Sequence, residues 1–137
     1  MADALTPAEE ARLLEAAVRA HARARAPYSK FHVGAAVLDD EGRVHGGCNV
    51  ESASYGLTIC AERNAVFSAI ANGARRFRGV AVVIDAAEPC SPCGACRQVL
   101  WDQCRDVPVL LGTTSGVVEK TTLATLLPRA FELGGLP

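Results

Sequence analysis

Two short segments hold most of the chemistry open to this chain. Cys60-Ala61-Glu62-Arg63 sets a thiol two residues before a carboxyl, and Ser91-Pro92-Cys93-Gly94-Ala95-Cys96-Arg97 holds two thiols at C-x-x-C spacing. That spacing lets two sulfurs reach one Zn²⁺ at about 2.3 Å each, and Cys60 can supply a third ligand. Each segment opens a helical pattern, and a helix N-terminus, with free N–H groups and partial positive charge, favours the thiolate a metal needs. Three protein ligands leave a fourth tetrahedral position for water, whose pKa zinc lowers toward about 7. Hydrolysis also needs a group that moves protons, and Glu62 is the candidate. Three thiolates make the zinc site negative overall, so a cation on the sulfurs is expected from Arg63 or Arg97.

The ligand register has an alternative. Cys90-Ser91-Pro92-Cys93 is also C-x-x-C, so a closed structural site of Cys60, Cys90, Cys93 and Cys96 competes on spacing alone. It would give Glu62 no task, and Cys90 precedes the Pro92 turn rather than opening a helix. Cys48, in a strand pattern, and Cys104, late in a helical one, read as buried structural thiols. His21, His32 and His45 show no ligand spacing and read as packing or surface residues.

The elements that must position these groups follow from local pattern. Thr6-Pro7-Ala8-Glu9 is a capping box. It starts a helix that stops before Pro27, with Leu14, Ala17, Val18 and His21 on one face and Arg19, Arg23 and Arg25 crowding the last turns. Phe31 to Leu38 and Arg43 to Val50 form an antiparallel hairpin around Asp39-Asp40-Glu41-Gly42. Asn49 and Glu51 then share a strand face. Helices are expected over Cys60 to Ala71, with Asn72-Gly73 as the stop, and over Gly94 to Cys104. Gly79 to Ile84 reads as a central strand, and Val107 to Leu111 as another. Only Gly112 to Gly116 separates that strand from Val117-Val118, too short for a parallel crossover, so the last two strands are antiparallel. A short helix from Leu123 to Leu127 and a tail from Pro128 to Pro137 complete an α/β/α sandwich around a mixed sheet of about five strands.

Composition narrows the field. The chain has 137 residues, 50% hydrophobic and 21% charged, which excludes a disordered protein and suits one domain. A net charge of −1 disfavours nucleic acid as a partner. No apolar run approaches a bilayer span and the N-terminus has no signal-peptide core, so a cytoplasmic protein with reduced thiols is expected.

The motifs resemble those of the homotetrameric, zinc-dependent cytidine deaminases, the free-nucleoside branch of the cytidine and deoxycytidylate deaminase superfamily. The likeness runs through Pro27-Tyr28-Ser29-Lys30-Phe31-His32-Val33-Gly34-Ala35-Ala36, Gly47-Cys48-Asn49-Val50-Glu51-Ser52-Ala53-Ser54-Tyr55, Cys60-Ala61-Glu62-Arg63, Ser91-Pro92-Cys93-Gly94-Ala95-Cys96-Arg97-Gln98-Val99 and Leu126-Leu127-Pro128-Arg129-Ala130-Phe131. The zinc-deaminase signature is a His or Cys, any residue, Glu, then Pro-Cys-x-x-Cys. The resemblance implies one zinc per subunit on Cys60, Cys93 and Cys96, with Arg63 offsetting the thiolate charge. It implies zinc-bound hydroxide attacking C4 of cytidine or 2′-deoxycytidine in pyrimidine salvage, with Glu62 as proton shuttle. It further places Asn49 and Glu51 on the ribose hydroxyls, the Ala61 backbone on the base and Phe31 in the pocket wall. Tyr55 and Phe131 would reach a neighbouring subunit's pocket. The chain departs from the family after Phe131, where many relatives have Gly and Glu132 stands here. Three alternatives compete: another cytosine nucleoside as substrate, a base in nucleic acid, or a noncatalytic zinc-stabilised interaction domain. The Asn49-Val50-Glu51 motif favours an ordinary ribose.

Overall fold

The computed structural model describes residues 3–134. Helix α1 (Pro7–His21) starts as expected: the Thr6 hydroxyl accepts from the Glu9 N–H at 3.1 Å, and the Glu9 carboxylate accepts from the Thr6 N–H at 2.9 Å. It ends well short of Pro27 because the backbone beyond is otherwise engaged. The Arg25 N–H donates to the Asn49 carbonyl and the Arg25 carbonyl accepts from the Glu51 N–H, a bridge no helix could make. Arg23 and Arg25 therefore lie past the helix, not in its last turns. The buried face is Leu13, Ala16 and Ala17, while Leu14 is half-buried and Val18 exposed. The stripe is turned by about one residue from the expected one, because α1 lies so close to the sheet that alanines fit best. A methyl on Gly34 of the facing strand would overlap the Ala17 carbonyl and the His21 backbone.

The sheet has five strands in the order β2-β1-β3-β4-β5. β1 (Val33–Asp39) pairs antiparallel with β2 (Val44–Cys48) and with β3 (Phe77–Ile84). β3 runs parallel to β4 (Pro108–Thr113), and β5 (Val118–Thr122) returns antiparallel to β4, as the short connection dictates. Both hairpin strands are shorter than their apolar pattern: Phe31 precedes β1, and Asn49 follows β2. Strand alternation sorts the core into two layers. Ala35, Val37, Val80, Val82, Val109 and Leu111 pack toward α2 (Ala61–Ala71), α3 (Gly94–Cys104) and α4 (Leu123–Leu126). Ala36, Leu38, Ala81, Val83 and Leu110 pack toward α1. The result is the expected α/β/α sandwich, its central strands apolar on both faces.

At the β1–β2 turn Asp39 is fully buried. Its carboxylate accepts from the N–H groups of Glu41 and Arg43 at 3.0 and 2.8 Å, and from the Arg43 guanidinium and the His45 ring at 3.0 Å each. Burial opposes its ionisation, but these donors prevail and hold its pKa at about 2. Cys104 is buried as expected, its thiol pushed up to about 12 by that burial, whereas Cys48 is half-buried. The expected tail is described as far as Gly134, and its last three residues lie outside the described residues. No helix among the described residues is long and apolar enough to cross a membrane.

Candidate active site and metal centre

Cys60 is the N-cap of α2 and Cys93 the N-cap of α3, with Cys96 in the first turn of α3. Two helix N-termini thus converge on three sulfurs. The three Sγ atoms lie within 4.8 Å of one another, and those of Cys60 and Cys93 are 3.9 Å apart. Two thiolates at 2.3 Å from a tetrahedral zinc sit about 3.8 Å apart, so the cluster is consistent with one zinc ion. Cys90 stands apart: its exposed thiol donates to the Ser91 carbonyl at 3.7 Å and lies on a cavity wall. The sulfurs brought together are those of Cys60, Cys93 and Cys96, without that of Cys90, which precedes the turn leading into Cys93 and Cys96.

The Arg63 Nη2 donates to Cys60 Sγ at 3.4 Å. The Cys60 thiol is pulled down to about 5, first by the hydrogen bond from the Cys96 thiol and then by Arg63, against the opposing effect of burial. Cys96, as donor to that thiolate, is pushed up, and the same thiolate tightens the proton on Arg63. Arg97 has a different role from the one its position suggested. Its Nε and Nη1 donate to the carbonyls of Pro92 and Leu126, both at 2.8 Å, clasping the turn before Cys93 to the end of α4.

Glu62 is only 5% exposed and lines a cavity of about 310 Å³, a volume in the range of small-ligand sites. Burial chiefly, and the Cys60 thiolate next, push its carboxyl up to about 7. A carboxyl in that range both accepts and releases protons near neutrality. Phe31, Asn49, Glu51, Tyr55 and Ala61 line the same cavity. Ala61 opens α2, where backbone N–H groups lack intrahelical acceptors.

The cavity's ribose-facing candidates are held differently from the expected strand face. Asn49, 7% exposed, follows β2. Its Oδ1 accepts from the Val33 N–H at 2.9 Å, and its Nδ2 donates to the Phe31 carbonyl at 2.7 Å. Its side chain thus takes backbone groups that a longer ladder would have used, which keeps Phe31 out of β1 and on the cavity wall. The Glu51 carboxylate accepts from the Tyr28 and Ser29 N–H groups at 2.9 and 3.1 Å and from the Ser29 hydroxyl, whose hydrogen bond chiefly lowers its pKa.

Tyr55, 64% exposed, lines the cavity of its own chain. Val50 and Ile59 exchange backbone hydrogen bonds of 3.0 and 3.1 Å, closing the segment between them into a loop whose 3₁₀ turn, Tyr55–Leu57, lies at the cavity mouth. Phe131 does not line this cavity and is 65% exposed. Sequence reasoning missed Ser29 as the partner of Glu51, although the turn following Pro27 hinted at free N–H donors there. It also missed Val82 and Ile84, whose place in the cavity depends on where β3 ends relative to the helices.

Comparison with known proteins agrees with this geometry. Residues 7–111 match the family model described as "Cytidine and deoxycytidylate deaminase zinc-binding region". A cytidine deaminase of Sporosarcina psychrophila is 48% identical over 121 residues, covering 88% of this chain and 89% of that protein. A blasticidin-S deaminase of Bacillus cereus is 33% identical over 111 residues, covering 75% and 79%. The crystal structure of a cytidine deaminase from Burkholderia pseudomallei superposes with a TM-score of 0.86 at 48% identity, covering 93% of this chain and all of that one. With three sulfurs converging beside a buried glutamate and a match spanning both helix N-termini that carry them, the chain belongs to the cytidine and deoxycytidylate deaminase family.

Proposed function

We propose that this protein hydrolyses cytidine and 2′-deoxycytidine to the corresponding uridines, releasing ammonia, as a step of pyrimidine salvage. The observation that carries the reading is the buried Glu62 carboxyl beside the Cys60, Cys93 and Cys96 sulfurs, in a cavity with room for a nucleoside. The 48% identity to a protein named cytidine deaminase supports the choice of substrate.

Cys60, Cys93 and Cys96 would hold zinc, which when bound supplies the Lewis acidity that makes hydroxide available near neutral pH. Glu62 takes a proton from the attacking water and delivers it to cytosine N3 as oxygen adds at C4. It then passes the second proton to the departing amino nitrogen, so water is consumed and ammonia leaves. Arg63 offsets thiolate charge on Cys60 through the hydrogen bond it donates. Glu51 and Asn49, pinned by the backbone on either side of Phe31, offer remaining acceptor and donor capacity to ribose hydroxyls. The Ala61 N–H meets the base, and Phe31 forms a wall.

The chain acts as one domain in a cytoplasmic homotetramer, with Phe131 completing a neighbour's pocket; its exposure and its absence from its own cavity support that assignment. The near-neutral charge of −1 supports a free nucleoside over nucleic acid. The test is the ultraviolet absorbance change on mixing zinc-replete protein with cytidine, with ammonia release measured alongside. Turnover of cytidine is expected. Turnover of blasticidin S with none of cytidine would overturn the substrate assignment, and a zinc-replete protein inert toward both would overturn the deaminase reading.

A further inference from the structure

The segment after α4 is clasped by α3, the helix whose N-terminus bears Cys93 and Cys96. The Trp101 indole N–H donates to Glu132 Oε1 at 2.9 Å, and the Arg105 guanidinium donates to the same oxygen. Arg105 also stands 5.8 Å from the Trp101 ring centroid, so the two donors brace each other. One residue earlier, the Gln98 Nε2 donates to the Phe131 carbonyl at 2.9 Å. Arg105 caps α3 with φ of 62°, a left-handed conformation that favours glycine, yet here a long cationic side chain occupies it and reaches Glu132.

These contacts hold the backbone that follows the Phe131 side chain while leaving the ring itself uncovered, with Leu133 exposed close by in the chain. Phe131 and Leu133 are both exposed, and two large apolar side chains so close in the chain offer a small apolar surface to a neighbouring subunit. The pinned carbonyl and the neighbouring anchored carboxylate restrain the backbone that carries the ring, which narrows the range of positions a free tail would sample. We propose that Glu132, acting through Trp101 and Arg105, is a positioning residue that presents Phe131 to the nucleoside pocket of a neighbouring subunit. This rests on the reading of Phe131 as a shared-pocket residue. The carboxylate touches no substrate; it lowers the entropy lost when Phe131 closes over the nucleoside, and so acts on substrate binding rather than on the chemical step.

The test compares cytidine kinetics of the zinc-replete assembly for wild type, Glu132→Ala, Glu132→Gln, Phe131→Ala and the Phe131→Ala/Glu132→Ala double variant, with sedimentation and melting recorded for each. Glu132→Ala is expected to raise KM about threefold to tenfold with kcat little changed, as loss of uniform binding does. Glu132→Gln, which still accepts from Trp101, should restore most of the wild-type KM. Adding Glu132→Ala to Phe131→Ala should raise KM no further, because a residue acting only through Phe131 has nothing left to position. A wild-type KM for Glu132→Ala, or the same fold increase in both backgrounds, would overturn the proposal. An unchanged KM for Phe131→Ala would overturn the shared-pocket reading itself, and an increase there with none for Glu132→Ala would overturn the positioning role alone.

Discussion

Replacing Gly47 with alanine tests whether the seat of α2 on the sheet sets the metal geometry. A methyl at Gly47 would stand 2.7 Å from Ala65 Cα and 2.8 Å from the Ala61 carbonyl oxygen, and closer still to the Ala65 nitrogen. Ordinary contact begins near 3.5 Å, and the Ala65 nitrogen, as the nearest obstacle, sets the shift, so α2 must retreat by about 1.2 Å. These obstacles are backbone and cannot rotate away. Crowding of this kind costs about 1–3 kcal/mol. The helix carries Cys60 and Glu62 with it, while Cys93 and Cys96 stay on α3. The retreat would displace Cys60 from its present 3.9 Å separation from Cys93, which lies close to the roughly 3.8 Å that two thiolates on one zinc allow. Zinc affinity should fall at least about tenfold, the equivalent of 1.4 kcal/mol, and the urea midpoint should drop as well. Gly46→Ala is the control: its methyl would face Ala20 Cβ at 3.6 Å, an ordinary contact toward α1. Chelator competition and urea unfolding of both variants give the comparison. A Gly47→Ala protein that binds zinc as tightly as Gly46→Ala would refute the argument that this close approach positions the site.

Glu62→Gln should keep its zinc by metal analysis while turnover falls about 10²–10⁴-fold, the scale of a lost proton-transfer group. Cys93→Ala should lose zinc, whereas Cys90→Ala should retain it in full, because only the first of these sulfurs lies in the cluster; equal zinc loss from both would restore the four-cysteine site. Asp39 gives a pH signature. Its carboxyl is held at about 2 against an ordinary 3.8, a difference worth about 2 kcal/mol of stability at neutral pH. That contribution is complete above the ordinary value and fades as pH falls through about 2. Wild type should therefore exceed Asp39→Asn in unfolding free energy by a constant margin above pH 5 that narrows below pH 4. A margin still unchanged at pH 3 would contradict the assignment.

Local sequence already determined the chemistry and the order of the elements. Cys60-Ala61-Glu62 and Pro92-Cys93-Gly94-Ala95-Cys96 each combine ligand spacing with a helix start, so the residue types and the dipoles that suit them lie within a few positions of each other. The Thr6 cap and the antiparallel end of the sheet were legible for the same reason: each depends on a handful of consecutive residues. What the tertiary structure alone decided involves partners far apart in the chain. Which face α1 buries depends on how closely Gly34 lets it approach. Where β1 begins depends on the Asn49 amide taking the backbone groups of Phe31 and Val33. Tyr55 lines the chain's own cavity because Val50 pairs with Ile59, and Arg97 clasps α4 because the Leu126 carbonyl arrives beside it. None of these follows from propensity or periodicity, because each is a hydrogen bond or a steric limit between backbones that only packing brings together.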